Sequence, residues 1–229
     1  MYDPNHNASP VNPIPPVVLG LVALIALFEI AFQLGERGLA GGAAAIQWRV
    51  QALQTFGFYP SVWDQLVTAG RLPVDGAWRF VTYPLVHASF VHTLFACVLL
   101  LALGNFTARV FRPVALVLVL AACLIAGAIA FAVTNDTGAP LYGAYPAAYG
   151  LIGMYTWCLW TMADRMGRNP YAAFQLIGVL VGIQLLFVVL EGAWYSFFAE
   201  IAGFVTGFVL AAPAAPGGIA RLRQKLRGR

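Results

Sequence analysis

Residues 199–207, AEIAGFVTG, place a carboxylate and two glycines on one face of an apolar helix. Glu200, Gly203 and Gly207 are spaced i, i+3 and i+7, which brings them to the same side of an α-helix. Two glycines four residues apart let a second helix backbone approach closely within a membrane. Such a pair alone is typical of ordinary helix packing. The glutamate beside it predicts that this face meets protein rather than lipid, because a carboxyl group facing lipid is costly.

A second stretch, GAYPAAYGLIG at residues 143–153, offers a complementary surface at the start of another apolar segment. The small residues on one of its faces are Gly143, Ala147 and Gly150. Fitting the two small-residue faces together predicts that these segments are in contact near one end. Tyr145 and Glu200 are then expected to be neighbours. Pro146 is compatible with a helix start, where backbone N–H groups lack intrahelical partners.

The composition around these stretches is that of a polytopic α-helical membrane protein. The chain has 229 residues, of which 61% are hydrophobic and 10% charged, whereas soluble domains carry about 25% charged residues. Apolar runs near the length needed to cross a bilayer predict six spans. They cover about residues 17–34, 86–103, 114–133, 143–163, 171–190 and 198–215. The cysteines Cys97, Cys123 and Cys158 fall inside these runs and are expected to be free thiols.

The basic residues predict that both termini lie in the cytoplasm. With that orientation the cytoplasmic side carries Arg109, Arg112, Arg165, Arg168, Arg221, Arg223, Lys225, Arg227 and Arg229. The opposite side carries Arg37, Arg49, Arg71 and Arg79. We therefore predict a cytoplasmic N-terminal tail at 1–16, a membrane domain at 17–215 and a basic cytoplasmic tail at 216–229. The basic tail is expected to contact anionic lipid headgroups rather than nucleic acid.

The first loop, residues 35–84, is too long to lack secondary structure. Its apolar residues recur at helical spacing, which predicts two short helices in or near the outer interface. Trp48 and Trp63 are expected to act as interfacial anchors.

Four ionisable residues at membrane depth each need a partner: Glu29, His87, His92 and Glu200. We predict that His87 and His92 begin the second span at its outer end. Two histidines are too few for a closed metal site, so hydrogen-bonding interfacial histidines are the favoured interpretation and no metal is expected. The sequence does not indicate a partner for Glu29.

Three motifs in this order resemble the rhomboid intramembrane serine proteases. They are WRFVTYPLVHASFVHTLF at 78–95, GAYPAAYGLIG and AEIAGFVTG. The matching positions are Trp78, Arg79, His87, His92, Gly143, Gly150, Gly153, Gly203 and Gly207. The resemblance implies an all-α, six-transmembrane-helix bundle with a long helical first periplasmic loop.

The departures from the family pattern fall on the catalytic groups that the resemblance implies. Tyr145 occupies the serine position, Pro146 the following glycine and Glu200 the histidine position. Ala96 stands where the family has an asparagine that stabilises the oxyanion. His92 and His87 are retained.

These replacements predict a catalytically inactive centre. The reference pKa of tyrosine is about 10 and that of glutamate about 4.3, so proton transfer from Tyr145 to Glu200 is uphill by about 8 kcal/mol. Pro146 has no backbone N–H and Ala96 has no side-chain donor. Ser89 and Ser196 lie off the matching motif. We expect the Tyr145 hydroxyl to hydrogen-bond Glu200 or His92 instead.

The favoured hypothesis is a rhomboid-like pseudoprotease that binds transmembrane helices of integral membrane proteins without cleaving them, as a chaperone, an assembly factor or an accessory subunit of a membrane complex. No cofactor is expected. The resemblance implies a docking surface between the second and fifth spans, where Gln175 and Gln184 could hydrogen-bond a client or face the interior. The alternatives are an active protease with an atypical centre and a small-solute transporter, although no inverted repeat is visible. No haem or iron–sulfur ligand set is evident. The Ala-, Gly- and Arg-rich composition suggests a bacterial inner membrane.

Overall fold

The computed structural model describes residues 14–70, 76–135, 137–191 and 196–227, with side chains at all of these except 187–191, 221, 222, 225 and 226. Most of the predicted N-terminal tail, Arg71 and Arg229 lie outside the described residues. The helices are α1 (Pro16–Glu36), α2 (Trp48–Phe56), α3 (Pro60–Ala69), α4 (Arg79–Thr82), α5 (Phe90–Thr107), α6 (Pro113–Thr134), α7 (Tyr145–Arg165), α8 (Gln175–Glu191), α9 (Phe197–Ala214) and α10 (Gly218–Arg227). Short 3₁₀ segments are Gly42–Gln47, Tyr83–Leu85 and Pro170–Phe174.

Prolines mark the starts of several helices. Pro16, Pro60 and Pro113 open α1, α3 and α6, and Pro146 is the second residue of α7. A first-turn proline loses no intrahelical hydrogen bond, and its fixed φ suits the helix. The prediction that Pro146 is accommodated at a helix start is confirmed.

Four described helices are long and apolar enough to cross a membrane, namely α1, α5, α6 and α9. The helix α7 has 21 residues, but tyrosine, tryptophan and threonine make it more polar, and α8 has 17 residues. These two occupy the positions predicted for the fourth and fifth spans. The second predicted span is shifted, because α5 begins at Phe90 and extends to Thr107.

The bundle is built around the close packing of α9 on α7. A β-carbon at Gly203 would collide with the carbonyl oxygen of Pro146, and one at Gly207 with that of Gly150. Gly153 faces the main chain of Phe204 and Phe208 in the same way. The predicted contact between the fourth and sixth spans is therefore confirmed.

The predicted small-residue face of the fourth span was wrong in one member. Gly143 precedes α7, and the atoms nearest to a β-carbon built there belong to His92, His87 and Tyr145 rather than to α9. It has a positive φ of 89°, which favours glycine, and a β-carbon there would lie 3.1 Å from Cε1 of His92. Gly143 therefore shapes the turn that brings the start of α7 beside His92.

The first loop contains α2 and α3 and is tied to the bundle at several points. Phe58 and Leu141 exchange backbone hydrogen bonds of 2.9 and 2.7 Å, which join this loop to the segment before α7. Trp48 packs with Phe32 and Val86, and Trp63 packs against the main core. Both tryptophans are half-buried, so they contribute to packing as well as to any interfacial contact.

Candidate functional site

His87 and His92 lie together at one end of α5. Their ring centroids are 5.3 Å apart with the planes at 70°. The prediction that both begin the second span was wrong for His87, because Ser89 caps the helix by accepting a hydrogen bond from the N–H of His92. His87 therefore sits in the loop before α5, where helical spacing does not govern its direction.

His87 is buried, with 1% of its surface exposed. Its Nε2 accepts a hydrogen bond of 3.1 Å from the N–H of Ala144, so the hydrogen of the neutral ring is on Nδ1. Among the described residues Nδ1 has no hydrogen-bond partner. Burial, and then the nearby His92, lower the pKa of His87 to about 3. His87 therefore stays neutral near neutral pH and connects the loop before α5 to the start of α7.

This burial predicts an acid-sensitive contribution to stability. The unfolded chain protonates His87 near pH 6.5 and the folded chain near pH 3, so stability is retained above this window and decreases as pH falls through it. Between pH 6.5 and 4, we expect the free energy of unfolding of His87→Gln to decrease by about 3 kcal/mol less than that of the wild type. Thermal midpoints of both proteins in detergent at several pH values measure the difference. Parallel decreases of the two thermal midpoints would show that His87 is not the source of the pH dependence.

Tyr145 is the first residue of α7 and covers His92. Its ring stacks on the imidazole with a centroid distance of 4.7 Å and an angle of 13°. The hydroxyl donates to the backbone carbonyl of His92 at 3.3 Å. The hypothesis that the phenol bonds Glu200 or His92 is thus met by His92, through its main chain rather than its imidazole. The phenol proton is directed at a group that cannot act as a base.

Glu200 lies in the first turn of α9 and is 4% exposed. One carboxylate oxygen accepts a hydrogen bond of 2.6 Å from the hydroxyl of Ser196, and the other accepts one from the amide of Gln184. Tyr149, one turn after Tyr145, also interacts with this carboxylate. Gln184 therefore faces the bundle interior, while Gln175 is exposed. Among the described residues, the partners of Glu200 satisfy a carboxylate that a dry interior would otherwise penalise.

The other motif positions near the start of α5, Arg79, Trp78 and Ala96, differ in their burial and contacts. Ala96 is fully buried in α5 and offers no donor. Arg79 donates to the carbonyl oxygens of Gln54 and Gly57, at 2.8 and 2.7 Å, and therefore holds the turn between α2 and α3. Trp78 beside it is 43% exposed.

A comparison with protein families identifies the scaffold. The family model of the rhomboid domain matches residues 75–216, which is more than half of the chain. The chain belongs to the rhomboid family. The predicted family resemblance is confirmed, and with the apolar helices it makes this a multi-pass membrane protein. All rhomboid motif positions from Trp78 to Gly207 lie inside the matched range.

The sequence did not predict the partner of Glu29 in this rhomboid. Arg49 of α2 forms a two-pronged ion pair with Glu29, with both nitrogen–oxygen distances at 2.9 Å. Arg49 also donates to Glu36 at 2.6 Å and to the carbonyl oxygen of His87 at 2.8 Å. Its hydrogen bonds to Glu29 raise the pKa of Arg49. A buried carboxylate signals that a cation is needed, but four arginines in the first loop were equally eligible.

Proposed function

We propose that this rhomboid-family protein binds transmembrane segments of integral membrane proteins without cleaving them. The proposal includes six membrane crossings, with α7 and α8 as the fourth and fifth, in a bacterial inner membrane with both termini in the cytoplasm. The observation that carries the proposal is the hydrogen bonding of the two residues at the catalytic positions of the family. Tyr145 donates to a backbone carbonyl, and Glu200 accepts from Ser196 and Gln184.

Nucleophilic catalysis needs a nucleophile within hydrogen-bond reach of a suitable base. The Tyr145 hydroxyl is not hydrogen-bonded to a side-chain base in the described site. Ser196 does donate to Glu200, but a carboxylate is a poor base for an alkyl hydroxyl, which is a weaker acid than a phenol. Pro146 and Ala96 supply no donor for an oxyanion, and the loss of one such donor can reduce the rate about 10²–10³-fold.

Helix α8 supports binding of a client helix. Gly178 and Gly182 form a second glycine pair four residues apart, and apart from the adjoining backbone of α8 no described atom lies within 4 Å of a β-carbon at either position. Neighbouring Val179 and Ile183 are exposed, with 60% and 47% of their surfaces accessible. Small residues at this spacing allow close approach of another helix in a membrane. In the second span, which with α8 would form the docking surface that the resemblance implies, Phe95 of α5 is 60% exposed.

The absence of cleavage is tested by reconstitution with a fluorogenic transmembrane rhomboid substrate. We expect no turnover by the wild type, and none by Tyr145→Phe or Ser196→Ala. A second set of variants tests whether the scaffold still admits a substrate helix. It restores the family's catalytic residues by Tyr145→Ser with Glu200→His, with and without Pro146→Gly and Ala96→Asn. Wild-type cleavage that Tyr145→Phe or Ser196→Ala abolishes would overturn the proposal and identify the nucleophile.

Client binding is tested by photocrosslinking in native membranes. A photoreactive amino acid at position 179 or 183 is expected to capture an integral membrane protein, whereas the same group at Val133 of α6 is the control. Gly182→Leu should remove the crosslink while leaving the thermal midpoint unchanged, because the space beside Gly182 is open. Crosslinks that are equal at all positions, or that persist in Gly182→Leu, would argue against docking at α8.

A further inference from the structure

A groove lies at the end of the bundle where α6 begins and α9 ends. Its volume is about 450 Å³, within the range of about 300–1,000 Å³ typical of small-molecule pockets. One wall is the first turns of α6, and the other is the last turn of α9 with the start of α10. Its apolar lining includes Ala115, Leu118, Val119, Leu210, Pro213 and Ile219. Leu118 and Ile219 are 64% and 57% exposed, so the groove is open to its surroundings.

The turn after α9 shapes this groove. Gly217 adopts a positive φ of 70°, which favours glycine, and Gly218 packs so closely that a β-carbon would meet the carbonyl oxygen of Ala212. The chain therefore folds back at α9 and α10 is held beside the mouth of the groove. The groove is a feature of fixed backbone geometry rather than of side-chain rotamers alone.

The lining of the groove carries a guanidinium group. Arg112 is the charged residue in its lining, and it is exposed. Within the described part of the chain no acidic side chain forms an ion pair with Arg112, since both ion pairs there involve Arg49. Arg223 and Arg227 of α10 are also exposed. An apolar slot with an unpaired guanidinium at its rim matches the chemistry of a lipid with an anionic head.

We propose that this groove binds an anionic phospholipid, with one acyl chain along α6 and the headgroup phosphate on Arg112. Moving a chain from the bilayer into the groove gains little hydrophobic free energy, because lipid tails are as apolar as the groove. Selectivity must therefore come from the headgroup. Guanidinium groups bind phosphate through paired hydrogen bonds, and basic pockets between membrane helices recognise anionic lipid heads.

The test is native mass spectrometry of the full chain in detergent with added phosphatidylglycerol or phosphatidylcholine of identical chains. We expect one phosphatidylglycerol to be retained preferentially. Arg112→Gln should weaken its retention about fivefold, the effect of about one cation near the headgroups. Ala115→Leu, which fills the groove without changing charge, should also weaken it. Arg109→Gln, an equal charge change in the same loop but outside the lining, is the matched control.

The following results would overturn the proposal of a lipid site. Equal losses in Arg112→Gln and Arg109→Gln, with none in Ala115→Leu, would show diffuse attraction and overturn the proposal. Equal retention of the two lipids, or retention of neither, would also overturn it. If Ala115→Leu does not fold, Leu118→Phe fills the same groove from an exposed position and replaces it.

Discussion

Replacement of Gly207 by alanine is expected to destabilise the bundle strongly. A β-carbon at this position would collide with the carbonyl oxygen of Gly150 on α7. A side chain can rotate away from such a collision, but a helix backbone cannot. Relief requires separation of α7 and α9, so the cost should reach or exceed the upper end of the usual range for overpacked cores, about 1–3 kcal/mol.

Gly182→Ala in α8 is the matched control for this prediction. It adds the same methyl group to a glycine of the same spacing motif, but into open space. Alanine is also favoured over glycine in a helix by about 1 kcal/mol. Size-exclusion chromatography and thermal unfolding in detergent compare the two variants. If Gly207→Ala stays monodisperse with an unchanged midpoint, the α7–α9 contact is not as close as the structure places it.

The α7–α9 contact was predictable because a fixed helical period relates neighbouring residues. Glu200, Gly203 and Gly207 must share a face wherever the helix lies, so the sequence determines that surface. The same reasoning failed for Gly143, which lies outside α7 and has a non-helical backbone. Periodicity gives the correct face only for residues that are inside the helix.

The start of the second span shows the same limit. Hydropathy alone places it near residue 86, because Leu85 and Val86 are apolar. The structure begins α5 at Phe90, since the Ser89 hydroxyl accepts the hydrogen bond of a first-turn N–H group. A serine just before a helical apolar run is a sequence signal for a helix start. Using it would have placed His87 in the loop.

The hydrogen-bond partners of Glu29 and Glu200 differ in how far they can be predicted from local sequence. Ser196 precedes Glu200 by four residues, so helical spacing alone would have indicated that pair. Arg49 is 20 residues from Glu29, and its position depends on how the first loop folds over α1. Local periodicity carries no information about such a pairing, and the sequence could show only that the carboxylate needed a partner.

Loss of the Arg49 side chain is the second prediction with a large expected effect. Arg49 and Glu29 are 8% and 5% exposed, and Thr93 and Gln33 also donate to this carboxylate, at 2.7 and 2.9 Å. Removing one partner of a buried pair leaves an uncompensated charge, which costs about 3–5 kcal/mol. For a protein of this size Arg49→Met should lower the thermal midpoint by about 10 °C. Arg37→Met, at an exposed position, is the control.

A double-mutant cycle separates the ion pair from the other roles of Arg49. If the pair dominates, Arg49→Met with Glu29→Met should cost clearly less than the sum of the two single changes, because neither charge is then left alone. Arg49 also holds the carbonyl oxygen of His87 at 2.8 Å. The double variant loses that hydrogen bond too, so a residual destabilisation is expected. Strictly additive costs would show that Arg49 stabilises the fold through the loop and His87, not through Glu29.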